Sequence, residues 1–330
     1  MFLKLYKNSS VNNILVITLS NIGDAVLTAP VIDILLRDFP SAKLSLVAGA
    51  KTASLFEGNP RIAQIHIFDK KLSFLKQAQW TLNLRQYHFD LVIDLRNSMI
   101  GYFLFPKWIT PPALFVNYKL HLKQRHLNRL RSLYDFGSYL APAVTISPSK
   151  GDEQFVDQLL NSFLKGNEPF VIIAPYSANS SKTWGKQALI SFINSITDQY
   201  GLKVVVIGAL DNREDVEHMG SQTHSPILNL AGKTNLIQLA ALFKRSKIAV
   251  VHDSGPMHIA SYMNTPLVAL FGPTNPDHFG PWGAVYNVVR RNSQCEPCLD
   301  PKSSVTHDCL SAITPQDVLV AFGEVYEQVR

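Results

Sequence analysis

Cysteine is scarce in this chain: Cys295, Cys298 and Cys309 are the only three, and they crowd into one stretch. That excludes a small secreted domain stapled by disulfides. Glycine never recurs as Gly-x-Gly, so the dinucleotide-binding fingerprint is absent. Gly232-Lys233-Thr234 ends like a phosphate loop, but the first glycine of that motif would fall on Ile227. Ser254 is no nucleophile elbow, because position 252 is His. No Asp-x-Asp pair occurs, so a diphosphate held through a metal on paired carboxylates is not indicated. No apolar run is long enough to span a bilayer. The first residues carry Lys4 and Lys7 but no apolar signal-peptide core. The cytoplasm is the expected compartment. Charge is also sparse, at 17% of residues, and the net +6 matters only where it clusters.

What the chain does have is apolar residues, 46% of its 330, enough for two medium domains. Asn13 to Leu19 is a continuous apolar run, the mark of a parallel strand buried on both faces. Ser20 to Asp24 reads as a loop, then Ala25 to Phe39 has helical periodicity. Further strands are predicted at Lys43 to Ala48, Ile65 to Phe68 and Leu91 to Leu95, with a helix at about Leu72 to Tyr87. After a stretch rich in Pro and Gly, Ala141 to Asn167, a second series begins. Strands are predicted at Phe170 to Ala174, Leu202 to Ile207, Lys247 to Val251, Thr265 to Phe271 and Val285 to Val289, with helices between them. Alternation of this kind means an α/β chain with mostly parallel sheets. The predicted domains are 1–165 and 166–330, with ligands expected in the cleft between them.

Three features carry chemistry. The turn Asp253-Ser254-Gly255 joins a strand to a helix starting at Pro256, with Ser254 suited to the N-cap. Such a turn aims backbone N–H groups and a helix dipole at one spot, which is an anion site, and His258 lies one turn on. The loop Pro175 to Trp184 follows its own strand and so belongs on the same sheet edge. Lys182 in that loop offers charge to neutralise a diphosphate, and Glu214 offers a carboxylate to ribose hydroxyls. Finally, Lys119, Lys123, Arg125, Arg129 and Arg131 form the one positive cluster, with His121 and His126 among them. The cluster suits a phosphorylated amphipathic substrate or an anionic membrane surface; the plain alternative is a solvated helix face. Nucleic acid is not expected, because the cluster is short and no reader motif accompanies it.

Several segments together resemble glycosyltransferase family 9, the bacterial lipopolysaccharide heptosyltransferases. They are Ser20-Asn21-Ile22-Gly23-Asp24-Ala25-Val26-Leu27-Thr28-Ala29-Pro30, Lys182-Thr183-Trp184, Asn229-Leu230-Ala231-Gly232-Lys233-Thr234, and Asp253-Ser254-Gly255-Pro256-Met257-His258 through Phe271-Gly272-Pro273-Thr274. The resemblance implies a GT-B fold, two Rossmann-like domains facing across a cleft, with the last helix, about 314–330, crossing back onto the first. It implies an inverting enzyme that moves a heptose, from ADP-L-glycero-D-manno-heptose, to the inner core of lipopolysaccharide without a metal or other cofactor. Asp24 matches the family's proposed base and Lys182 its diphosphate lysine. Ser177, Ala178, Asp253, Ser254, Gly255 and His258 match donor-binding positions, with Glu214 in a loop of varying length.

The implied partners are a nucleotide-sugar donor and a phosphorylated lipid-linked oligosaccharide acceptor, met by the 119–131 cluster, with the protein peripheral to the inner face of the membrane. The alternatives are a GT-B enzyme using another nucleotide sugar for O-antigen or capsule, and a non-catalytic nucleotide-sugar binder, which would need no base at Asp24. Cys295, Cys298, His307 and Cys309 permit a zinc site as the weaker reading, since His307 and Cys309 stand only two apart.

Overall fold

The structure, a computed structural model, describes residue 5 and residues 10–112, 119–137, 143–177, 183–283, 285–290 and 309–330. Ala178, Lys182, Cys295, Cys298 and His307 lie outside the described residues. The chain divides into two compact units, Met1–Ser149 and Lys150–Arg330.

In the first unit, strands β1 (Asn13–Ile17), β2 (Lys43–Ala48), β3 (Ile62–Ile67), β4 (Leu91–Asp94) and β5 (Trp108–Ile109) form a parallel sheet in the order β3-β2-β1-β4-β5. Its helices are α1 (Ile22–Asp38), α2 (Phe74–Asn83) and α3 (Leu122–Arg131). Four of the five β1 residues are buried, which is why the strand reads as an unbroken apolar run. Helix α1 begins at Ile22, with Asn21 as its N-cap, rather than at Ala25 as the sequence predicts. Asp24 therefore sits in a first helical turn and not in a loop, and an acid is favoured there by the helix dipole. Every residue of α1 from Ala25 to Leu36 is buried, so the helix tolerates Pro30 inside it. Among them is Asp33, whose carboxylate accepts from the Val144 and Thr145 amides at 3.0 and 2.9 Å and the Thr145 hydroxyl at 2.6 Å.

The second unit runs α4 (Lys150–Asn161), β6 (Phe170–Ala174), α5 (Lys186–Tyr200), β7 (Lys203–Val206), α6 (Arg213–Gly220), β8 (Ile227–Asn229), α7 (Leu236–Arg245) and β9 (Ile248–His252). It continues with α8 (Gly255–Tyr262), β10 (Leu267–Leu270), α9 (Pro276–Phe279), β11 (Tyr286–Val289) and α10 (Pro315–Gln328). The parallel sheet has the order β11-β10-β9-β6-β7-β8. Helix α4 packs on α7, burying Val156 and Leu160 and pairing Glu153 with Lys244 at 3.1 Å and Asp157 with Arg245. The division thus falls before this helix, whereas the predicted boundary at 165 follows it. The last helix also departs from expectation. It packs on α5, β10 and β11 of its own unit, with Phe322 buried between Phe192 and Tyr200 at ring distances of 6.1 and 5.1 Å. Among the described residues, no helix is long and apolar enough to cross a membrane.

Candidate active site

In each sheet the chain reverses its direction of strand addition once. In the second unit this happens between β6 and β9, and in the first between β1 and β4. The loops leaving the carboxyl ends of such a strand pair diverge and leave a crevice for ligands.

At the β6/β9 pair, Ala174 lies in register with Val251, so Pro175 and His252 leave the sheet side by side. The His252 ring is hydrogen-bonded to the Pro175 backbone, tying the two loops together. Complete burial pushes its pKa down to about 4, so the ring is neutral. Next, the Asp253 carboxylate is nearly buried and accepts from the Thr274 hydroxyl, fastening the loop after β10 to the turn. Ser254 holds the N-cap position of α8 in extended backbone, as predicted, with Pro256 in the first turn. Its hydroxyl turns back to the His252 carbonyl at 3.1 Å and does not cap the helix. The first amides of α8 therefore keep their capacity for an anion. His258 is only 5% exposed and lies against the Trp282 ring, 5.7 Å between centroids, so packing as well as any ligand fixes it.

On the other side of β6, Tyr176 donates to Asp215 at 2.5 Å, and Lys186 reaches the same carboxylate at 2.7 Å. These hydrogen bonds hold the Asp215 carboxyl below its ordinary pKa. Ser177 follows, half-buried. Glu214 is exposed in the first turn of α6, beyond β7 on the same edge. At the end of this loop Trp184 is buried, and its indole donates to the Ile313 carbonyl at 2.9 Å. The sequence offered no sign of the Tyr176–Asp215–Lys186 link, whose members are far apart along the chain.

In the first unit, Asp24 is half-buried and accepts from the Asn21 amide at 3.0 Å. One strand over, the sequence reading missed Asp94, which pairs in register with Ile17 at the end of β4. Its carboxylate accepts from Ser98 and the Arg96 amide, each at 3.0 Å, while burial raises its pKa against the pull of these partners. Arg129 donates to the Asp94 and Pro111 carbonyls at 3.0 and 3.2 Å and reaches Asn97 at 3.5 Å. Of the five predicted acceptor cations, then, Arg129 holds the loops after β4 and β5 together. Lys119 and Arg131 are exposed, and Lys123 and Arg125 are half-buried. His126 is buried where α3 packs on α1, with its pKa pushed down to about 3 by burial first and the neighbouring cations next.

The family model for glycosyltransferase family 9 (heptosyltransferase) matches residues 113–307. The chain is 25% identical to the lipopolysaccharide core heptosyltransferase OpsX of Haemophilus influenzae, covering 83% of each chain. Its structure matches that of a family 9 glycosyl transferase from Veillonella parvula with a TM-score of 0.81, at 21% identity, over 98% of this chain and 100% of that one. Escherichia coli ADP-heptose lipopolysaccharide heptosyltransferase II matches with a TM-score of 0.72, at 23% identity, over 96% and 99%. The fold class is α/β of the GT-B kind, built from two Rossmann-like units.

Proposed function

Because the chain belongs to glycosyltransferase family 9, the heptosyltransferases, we propose that it transfers a heptose from ADP-L-glycero-D-manno-heptose to the inner core of lipopolysaccharide with inversion. The single observation that carries the donor half is the Asp253–Gly255 turn. It lies at the point where the second sheet reverses, with the amino end of α8 behind it. A diphosphate there meets backbone amides and a helix dipole. Lys182, in the loop that leaves β6, adds the charge a metal would otherwise supply, so no cofactor is needed. Ser177, Ala178, Glu214 and His258 complete the donor set.

The first unit supplies the base. Asp24 takes the proton of the acceptor hydroxyl as that oxygen attacks the anomeric carbon from the face opposite the diphosphate. The bond from the anomeric carbon to the diphosphate oxygen breaks, and ADP leaves with its charge held by the α8 amides and Lys182. The acceptor is a phosphorylated, lipid-linked oligosaccharide. Lys119, Lys123, Arg125 and Arg131 meet its phosphates, while Arg129 keeps the edge they stand on in shape. The enzyme works in the cytoplasm, peripheral to the inner membrane.

The test is ADP release from ADP-heptose in the presence of heptose-deficient lipopolysaccharide, with and without EDTA. Release that needs the acceptor and survives EDTA is expected. Turnover only with another nucleotide sugar overturns the donor assignment, and binding without turnover overturns the enzyme reading.

A further inference from the structure

The first unit carries an apolar surface that its fold does not use. Eleven large apolar side chains are exposed among the described residues, and seven of them fall between Ile67 and Phe105. Phe74 is 83% exposed, Leu75 79% and Phe105 77%. Single exposed apolar residues are ordinary, but this many from one region are not. Phe74, Ala78 and Leu82 stand four residues apart on α2 and form one stripe. With Met99, Ile100 and Phe103 from the turn after β4, they line an open groove of ≈ 440 Å³. Phe105 has φ +50°, a left-handed conformation that is costly for an aromatic residue, and it closes the turn with its ring turned out to solvent. The Arg85 guanidinium lies over that ring, 4.8 Å from its centre, and donates to the Phe103 carbonyl at 2.7 Å.

Charge identifies the occupant. Lys70, Lys71, Lys76, Arg85, Arg96 and Lys107 surround these apolar side chains, and no carboxylate occurs in residues 70–89 or 95–112. A second copy of the chain laid on this face would bring like charges together. An anionic bilayer instead takes the aromatic and aliphatic tips below its headgroups and the ammonium and guanidinium groups among its phosphates. We propose that the face formed by α2 and residues 99–105 is a docking surface for an anionic lipid membrane. The proposal extends the lipid-linked acceptor of the preceding section, but its test does not depend on transfer.

The experiment is flotation of the full chain with vesicles of phosphatidylglycerol and phosphatidylethanolamine, against vesicles of phosphatidylcholine alone. Binding to the anionic vesicles, weakened by salt, is expected. The double variant Phe74→Asp, Phe105→Asp should bind at least tenfold more weakly at an unchanged Tm, because both side chains lie in water. Lys71→Glu with Lys76→Glu should also weaken binding, whereas Val320→Asp, an exposed apolar position of the second unit, should not. Equal flotation of the Phe74/Phe105 variant and the parent overturns the proposal, as does a parent that ignores anionic vesicles. A parent that dimerises through this face, and becomes monomeric in the variant, overturns it in favour of a second copy. Transfer to an acyl-free soluble acceptor should be the same in parent and variant, and its selective loss in the variant would assign the face to the active site instead. If the parent floats but transfers nothing, the enzymatic reading fails and the membrane surface stands.

Discussion

A base that takes a proton from a sugar hydroxyl must be a carboxylate with a free lone pair, and Asp24 spends one oxygen on the Asn21 amide. Asp24→Asn keeps the shape and removes the basicity, so kcat should fall by roughly 10²–10⁴. ADP affinity, read by calorimetry, should stay within about twofold, since the donor groups lie in the other unit; comparable loss of both would make Asp24 a structural residue. His252 gives a second test at this scale. Its ring titrates near 4 in the fold and near 6.5 in the unfolded chain. Between those values the unfolded chain binds the extra proton, so stability is full above pH 6.5 and drains away as pH falls toward 4. By pH 5 the loss from this one ring is on the order of 2 kcal/mol. Denaturant midpoints at pH 7.5 and pH 5 should therefore differ less in His252→Gln than in the parent chain. The turn residues Asp253, Ser254 and Gly255 were legible because neighbours in sequence make the turn. Asp94, the Tyr176–Asp215 bond and the anchoring of Asp33 to Thr145 were not, because each partner is remote along the chain and only the fold brings them together.

Strands buried on both faces announce themselves as apolar runs, and β1, β2, β4, β6 and β9 stand close to where the sequence puts them. Strand β5 has two residues and β8 three, too short for any period to register. Helix α1 begins three residues before the predicted start, since Ile22 and Gly23 carry no recognisable first-turn signal. The more consequential miss is Trp184. Beside Lys182 it reads as part of a ligand motif, yet its ring is core, 6.0 Å from Phe192, and its N–H holds the Ile313 carbonyl just ahead of α10. The indole thus pins the far end of the loop that carries Lys182. Trp184→Phe keeps most of the apolar contact and strands a buried carbonyl, at a cost of about 1–3 kcal/mol. ADP should bind more weakly as the loop loses its anchor. A variant that melts lower but binds ADP with parental affinity would separate the loop's anchoring from its function.

At the scale of the molecule, the alternation of strands and helices was enough to expect two α/β units, and the packing of α4 and α10 corrects only their bounds. Each unit has a core of its own, one around Leu15, Ile17 and Val92, the other around Val171, Phe192 and Phe322. A ligand held by one core stabilises what it touches, by RT ln(1 + [L]/Kd), or about 2.7 kcal/mol at a hundredfold excess over Kd. The donor groups after β6 and β9 belong to the second unit alone, so ADP without acceptor should slow amide exchange there first, at Tyr176, Ser177 and the opening turn of α8. Asp24 and the start of α1 should exchange as in the unliganded chain until the acceptor is present. Equal protection of both units by ADP alone would mean that the nucleotide draws on both sheets at once. The division of labour proposed here, base from one unit and diphosphate cradle from the other, would then have to give way to a shared site.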